Sequence, residues 1–145
     1  MGLLEEMAKA EAKFNATIDT IMLGNVLDTT KAAIQESVEE NVYQAYPDPV
    51  VYQRRKDKNG GLQDKSVMDE KYDAAEHKLE VADNSRDNRT GRLVGEVVES
   101  GVGYDYWKGA FPRPFMKEAE EIMEKQNLFE DALRYGLQKA GYIVK

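Results

Sequence analysis

The last thirty residues limit most strongly what this chain can fold into. Between Phe115 and Ala140, apolar side chains recur at helical steps, and these are Phe115, Met116, Ala119, Ile122, Met123, Phe129, Ala132, Leu133, Leu137 and Ala140. This spacing predicts one amphipathic helix of about 25 residues, roughly 37 Å long at 1.5 Å per residue. Pro112 and Pro114 mark its beginning, and Gly141 lies where it would end.

The first 45 residues are also expected to be helical. From Leu3 to Met22 the apolar residues recur mostly at steps of three and four, with alanines between them. Gly24 and Asn25 predict a stop or a kink. A second helical stretch follows and ends before Pro47, although the two stretches also fit one long bent helix. A small sheet can cover only part of a long helix, so we expect part of the apolar face of the N-terminal helix to dock on a neighbouring subunit.

The middle of the chain has a different pattern, with turn signals and short alternating runs. The Asn-Gly-Gly sequence within residues 58–61 predicts a tight turn. Strands are expected at residues 50–52, Met68–Asp73 and 78–82, and a short helix at residues 93–98. The chain is therefore predicted to be α+β, with N-terminal helices, a small and mainly antiparallel sheet and a long C-terminal helix.

The length of 145 residues suits a single domain spanning residues 1–145. Within it we expect a helical part at residues 1–45, the sheet and loops at 46–111, and the C-terminal helix at 112–141.

Composition excludes several classes of function. The chain has no cysteine and a single histidine, so thiol catalysis, disulfides and multi-histidine metal sites are excluded. The net charge of −7 argues against a protein that coats nucleic acid. No apolar run approaches the ~20 residues of a membrane helix, and the first residues lack the pattern of a signal peptide. We expect a soluble acidic domain that acts by binding, with no membrane partner.

The residues that carry chemistry form no recognisable catalytic motif. His77 stands between Glu76 and Lys78, which is typical of a surface histidine. The nearby acids lack the spacing and central glycine of a calcium loop. We therefore expect no catalytic residue, no cofactor and no metal ion, and we expect that the chain is not an enzyme. Two distant alternatives stay open: a small hydrolase using clustered carboxylates, and a nucleic-acid-binding module using the basic residues 54–58.

Several short pieces occur in a recognisable order over about residues 38–125. Residues 46–55 read Tyr-Pro-Asp-Pro-Val-Val-Tyr-Gln-Arg-Arg, and a glycine-glycine-leucine turn follows at 60–62. Residues 93–101, the Gly103-Tyr104 pair and the Pro-Arg-Pro-Phe box at 112–115 come later. This ordered set resembles the small neck proteins of tailed bacteriophages of Gram-positive hosts, in the head–tail joining or tail-completion family.

The resemblance implies a structural component of the virion at the head–tail interface, assembled in the host cytoplasm. The implied partners are other copies of the chain in a ring, as a hexamer or dodecamer, neck adaptor or stopper proteins, and a tail terminator or tail tube protein. DNA is expected to pass through the ring without specific binding. A tail terminator and a head-closure protein are alternatives within the same neck.

The resemblance also implies roles for individual residues. The proposed contact residues between subunits are Tyr52, Arg54, Arg55, Gly60, Gly61, Leu62, Tyr104, Tyr106 and Trp107. The arginines could instead discourage stray pairing at a strand edge, the glycines could form a simple hairpin turn, and the aromatic residues could cap the core. The structural residues are Pro112, Arg113, Pro114 and Phe115, which set the start of the last helix.

Overall fold

A computed structural model describes residues 2–44, 55–87, 90–100 and 114–144, with the backbone alone at Ser100. The described architecture is α+β, which confirms the predicted fold class. A long N-terminal helix, a β-hairpin and two C-terminal helices pack together, with one short helix between the hairpin and the C-terminal pair.

The N-terminal helix runs from Leu3 to Tyr43 without a break. It consists of α1 (Leu3–Ile21), a π-helical turn (Met22–Val26), α2 (Leu27–Val38) and a second π-helical turn (Glu39–Tyr43). The residues at the junctions all keep right-handed helical angles. The sequence alternative of one long helix is therefore the one observed, and Gly24 lies inside the helix rather than at its end.

A tertiary hydrogen bond is made from within the first π-helical turn. The side-chain amide of Asn25 donates to the carbonyl oxygen of Ala132 at 2.8 Å. A π-helical turn fits one extra residue into the helix and rotates the residues that follow it. The turn therefore changes which side of the long helix faces the rest of the molecule, and the bond connects the turn to Ala132 in the C-terminal region.

Within the described ranges, the sheet is a two-stranded antiparallel hairpin of β1 (Met68–Asp73) and β2 (Lys78–Asp83). Its register pairs Met68 with Asp83 at one end and Asp73 with Lys78 at the other. The predicted strand at Met68–Asp73 is confirmed, and β2 extends one residue beyond its prediction. The expected strand at 50–52 lies outside the described residues.

An irregular segment of residues 55–64 and a 3₁₀ turn (Lys65–Val67) lead into β1. The predicted turn is present, with Asn59 and Gly60 both at positive φ. After β2, Arg86 and Leu93 form an isolated antiparallel bridge. The helix α3 (Val94–Ser100) follows, and it confirms the predicted short helix.

The C-terminal region consists of two helices, α4 (Phe115–Lys125) and α5 (Leu128–Lys139). The single long helix predicted from the apolar stripe is therefore wrong in this detail. Asn127 adopts a left-handed conformation with φ of 50°, which a right-handed helix cannot include. Asparagine tolerates this conformation better than most residues, so the chain turns at Asn127 and α5 starts in a new direction.

In the part of the chain that the structure describes, two apolar clusters form the core. The first lies between α2 and α4 and contains Ile34, Val38, Val42, Leu62, Met68, Val98, Phe115 and Ala119. The second lies where α1 meets α5 and contains Ile21, Met22, Val26 and Ala132. The long helix contributes to both clusters, so it organises the whole described structure.

Candidate functional site

The glycine pair at 60 and 61 is required by the loop in which it lies. Gly60 has φ of 80°, a conformation that other residues rarely adopt. A Cβ on Gly61 would lie within 2.2 Å of the carbonyl oxygen of Lys56, so two backbone segments touch at this point. The positive φ explains Gly60 and the close approach explains Gly61, both without a partner, and their role in contacts between subunits stays a prediction.

Asp64 holds the same loop through three hydrogen bonds. Its carboxylate accepts from the Gly60 amide at 2.9 Å and from the hydroxyl and amide of Ser66 at 2.7 and 3.0 Å. The hydrogen bond from the Ser66 hydroxyl, followed by the two backbone amides, lowers the pKa of Asp64 below its ordinary value.

Arg55 connects this loop to the segment that follows β2. Its guanidinium donates to the carbonyl oxygens of Asn59 at 3.1 Å and Arg86 at 2.6 Å. The hydroxyl of Ser85, a fully buried residue, donates to the carbonyl oxygen of Gly60 and supports the same junction. Arg55 therefore has a structural role within its own chain, and its predicted contact with another subunit remains a prediction.

Among the described residues, Leu62 is the predicted contact residue whose position the structure corrects. Its side chain is only 4% exposed and packs in the first core cluster. Leu62 was proposed as a contact between subunits, but the turn directs its side chain inward. It stabilises the fold and is not available to a partner.

The other predicted site residues divide into two groups. Pro114 directly precedes α4, and Phe115 is its first residue, with 1% exposure and a carbonyl oxygen that accepts a hydrogen bond from the Ser37 hydroxyl. The following lie outside the described residues: Tyr52, Arg54, Tyr104, Tyr106, Trp107, Pro112 and Arg113.

Three polar side chains join the hairpin to α1. The hydroxyl of Tyr72 donates to Asp19 at 2.6 Å and lies 3.2 Å from Nδ1 of His77. The same ring nitrogen lies 3.3 Å from the Asp19 carboxylate. Partial burial, together with the hydrogen bond to Asp19 and the charge of that carboxylate, raises the pKa of Tyr72 to about 12. This cluster positions the hairpin on the long helix.

Asp83 is a largely buried carboxyl at the end of β2. Its Oδ1 accepts a hydrogen bond from the Ser85 amide at 3.1 Å. Its Oδ2 is buried with no hydrogen-bond partner among the described residues. Burial raises the pKa of Asp83 to about 7, the negative charge of Asp64 adds to the shift, and the Ser85 amide opposes it. Asp83 is therefore a group that changes charge near neutral pH.

An open groove of about 650 Å³ runs between β2, α4 and the long helix. Its floor includes Ile34 from the first core cluster and Val26 from the second. Its charged edge is mainly acidic and consists of Lys78, Glu80, Glu120 and Glu124. The Lys78 ammonium lies 3.2 Å from the Glu80 carboxylate, so the remaining acids dominate the edge.

The first part of α1 extends beyond the body of the molecule. Every residue from 2 to 14 is exposed, and Leu3 and Met7 show 73% and 58% of their surface. Phe14 makes an edge-to-face contact with Tyr142, with ring centroids 5.3 Å apart. We call residues 3–14 the N-terminal arm.

Sequence reasoning missed the roles of Tyr72 and Asp83. His77 was expected to be a simple surface residue, and it belongs to a cluster with Tyr72 and Asp19, which lie 53 positions apart along the chain. The hairpin pattern offered one signal, because a turn at 74–77 places His77 beside the last residues of β1. No sequence signal marks Asp83 as buried, since aspartate after a strand is ordinarily exposed.

The described residues offer no group of three or more histidine, aspartate or glutamate side chains that could hold a metal ion. Within these same ranges, no helix has the length and apolarity that crossing a bilayer requires.

Comparison with known proteins gives one clear result. No curated protein and no solved structure matches the chain. The model of the YomN family matches residues 6–139, which is nearly the whole chain. YomN is a family derived from Bacillus phages. The chain therefore belongs to the YomN family and is a phage-associated protein.

Proposed function

We propose that this chain is a structural subunit of the neck of a tailed phage, where a ring of copies joins the DNA-filled head to the tail. The observation that carries the proposal is the match to a phage-derived family over residues 6–139. The match includes the whole stretch of about residues 38–125 in which the ordered pieces resemble neck proteins. In this role the chain acts by assembly in the virion and not as an enzyme.

The distribution of charge supports assembly into a ring. Residues 1–50 carry nine acids against three lysines, whereas residues 51–95 carry ten basic residues against nine acids. Surfaces of different charge on one subunit favour head-to-tail contacts, and such contacts close into a ring when the rotation between subunits permits. The net charge of −7 also suits a duct through which DNA passes, because tight phosphate binding would slow its movement.

The contact with a neighbouring subunit or an adaptor is proposed at Arg54 and Arg55, and Arg54 is the residue chosen for the test. Arg55 already donates hydrogen bonds to two carbonyl oxygens of its own chain. Arginine pairs with carboxylates through two parallel hydrogen bonds, which suits a contact with an acidic partner surface. The aromatic residues Tyr104, Tyr106 and Trp107 are proposed to anchor the same assembly, since aromatic residues are enriched in interfaces.

The proposal is tested in the phage that encodes the chain. A stop codon early in the coding sequence should yield DNA-filled heads and separate tails in electron micrographs of lysates. Supplying the intact chain from a plasmid should restore joined, infectious particles. Intact infectious particles without the chain would contradict the proposal, as would a loss of heads or of tails themselves.

A matched pair of variants tests the contact. Arg54→Glu should leave a folded protein that fails to join heads to tails in the same complementation. Lys58→Glu makes the same change in charge on an exposed side chain of the neighbouring loop and should complement normally. Circular dichroism of both purified variants checks that they fold. Equal complementation by the two variants would remove Arg54 from the contact.

A further inference from the structure

The N-terminal arm carries an apolar face that the described part of the chain leaves largely exposed. The face of α1 that packs on α5 near Ile18 and Ile21 continues toward the N-terminus as Phe14, Met7 and Leu3. Phe14 still meets Tyr142, but the arm continues for about 16 Å beyond that contact, at 1.5 Å per residue. This length allows three helical turns to pack on another helix.

The exposed face of the arm has the spacing of a coiled-coil seam. Leu3, Met7, Ala10 and Phe14 follow one another at steps of four, three and four residues. This is the spacing of positions a and d in a heptad repeat, which two helices bury against each other. The seam fits a second helix of similar length.

The charged residues beside the seam indicate which helix fits. At 100° per residue, Glu6 and Lys13 lie along one flank of the seam, and Leu4 and Glu11 lie along the other. In a parallel pair of arms, opposite flanks meet and Glu6 of each copy faces Glu11 of the other. In an antiparallel pair, equal flanks meet and Glu6 of each copy approaches Lys13 of the other. Charge therefore disfavours the parallel pair and favours the antiparallel one.

The antiparallel register also matches the side chains along the seam. A two-fold axis between residues 8 and 9 places Leu3 of one arm across from Phe14 of the second copy, and Met7 across from Ala10. Glu6 and Lys13 of the second copy then lie about 3 Å apart along the helix axis. Helical side chains lean toward the N-terminus of their own helix, so these two lean toward each other.

We propose that two copies of this chain associate through antiparallel packing of their N-terminal arms. The contact goes beyond the proposed neck function and does not rest on it, because it joins copies in pairs across a two-fold axis, whereas a ring needs head-to-tail contacts. Three turns of helix bury a small area, so the pair forms at high protein concentration. In a larger assembly, the high local concentration of arms strengthens it.

Single charge reversals test the orientation, with the full-length chain studied by sedimentation equilibrium at low salt. Glu6→Lys places a lysine beside Lys13 of the second copy at two symmetric positions, and Lys13→Glu places a glutamate beside Glu6. Each variant should weaken dimerisation by about tenfold, the effect of roughly 0.7 kcal/mol at each of two exposed pairs. An equimolar mixture of the two variants should dimerise at least as tightly as the native chain.

The outer face of the arm provides matched controls. Glu5→Lys and Lys9→Glu change the same charges on the side of the helix away from the seam, and both should leave dimerisation unchanged. Tighter association of Glu6→Lys would indicate parallel arms and overturn the proposal. A native chain that stays monomeric at the highest soluble concentration would also overturn it.

A disulfide trap gives a second readout, because the native chain has no cysteine. Mixing Leu3→Cys with Phe14→Cys under mild oxidation should give the mixed disulfide as the main product. Leu3→Cys alone should cross-link poorly, because antiparallel packing holds its two copies about 16 Å apart along the axis. Efficient cross-linking between two copies of Leu3→Cys would contradict the proposal. A disulfide between Leu3→Cys and Glu120→Cys would also contradict it, because the arm would then bind in the groove and not on a second arm.

Discussion

Gly136 of α5 lies against the side chain of Ile21 in α1, with no room for a methyl group between them. A Cβ on Gly136 would lie 2.6 Å from Cγ2 and 2.9 Å from Cγ1 of Ile21. The glycine therefore sets how closely the two helices approach at the second core cluster. From this crossing, α1 continues through half-buried residues toward the N-terminal arm, which begins at Phe14.

Gly136→Ala is expected to lower the free energy of unfolding by about 1 to 3 kcal/mol, although alanine is the better helix former. The β-branched side chain of Ile21 has few alternative rotamers and cannot move away cheaply. Gly24→Ala is the matched control, since a Cβ there meets nothing within 4 Å, and it should stabilise the protein by about 0.5 to 1 kcal/mol. Urea denaturation of both variants decides the matter, and stabilisation by Gly136→Ala would show that the helices lie farther apart.

Tyr72→Phe is expected to destabilise the protein by about 1 to 2 kcal/mol, because it removes a hydrogen bond to a carboxylate and leaves the ring in place. The amides of the hairpin should also exchange faster with solvent than those of α2. Tyr135→Phe removes a hydroxyl from an exposed tyrosine and should leave stability unchanged. Equal stability of the two variants would mean that the bond between Tyr72 and Asp19 does not hold the hairpin.

The ionisation of Tyr72 should lower the stability of the protein at alkaline pH. Its pKa is raised from 10.0 to about 12, so the stability it contributes is complete below pH 10 and is lost as the pH rises to 12. In an absorbance titration of tyrosinate, one residue should ionise near pH 12, and this late step should be absent from Tyr72→Phe. If the late step persists in that variant, it belongs to another tyrosine.

Periodicity alone predicted the main elements, because helices and hairpins each impose a local pattern on the sequence. The stripe around Val38 and the alternation around Leu79 lie in a helix and a strand as expected. The break at Asn127 was not predicted, since apolar residues continue at helical steps on both sides of it. A single left-handed residue leaves almost no trace in such a pattern.

The position of Asn127 makes that break testable. Asn127→Ala should destabilise the protein by about 1 kcal/mol, because alanine pays a larger cost at φ of 50° than asparagine. Asn127→Gly should be neutral or stabilising, because glycine adopts this conformation freely. Thermal unfolding measures both changes. If Asn127→Ala is the more stable variant, α4 and α5 form one continuous helix, as the sequence stripe predicted.

Long-range polar contacts were beyond sequence reasoning for a different reason. The bond between Tyr72 and Asp19, and the burial of Asp83, depend on how elements distant in the chain are packed. Arg55 illustrates the same point. The pair of adjacent arginines suggested contact with a partner, but the Arg55 guanidinium donates to backbone carbonyl oxygens of its own chain. The residue type indicates that an arginine side chain donates hydrogen bonds to oxygen atoms. Only the fold shows which oxygen atoms accept them.

Asp83 should make stability fall as the pH rises toward neutrality. Its pKa is raised from 3.8 to about 7, so the folded chain binds a proton that the unfolded chain has released between these values. The contribution of Asp83 to stability is complete below pH 4 and is lost by about pH 7. Asp83→Asn cannot ionise, and it should become more stable than the native chain by about 1 to 3 kcal/mol at pH 8, with little difference at pH 4.

Urea denaturation of both chains from pH 4 to pH 8 gives the difference curve that tests this assignment. Asp57→Asn is the control, because it removes one negative charge from an exposed side chain of the neighbouring loop and reports the effect of net charge alone. Only Asp83→Asn should show a difference that grows through the window from pH 4 to pH 7. A difference that stays constant with pH would mean that Asp83 remains ionised in the folded chain, and that an unseen partner satisfies its Oδ2.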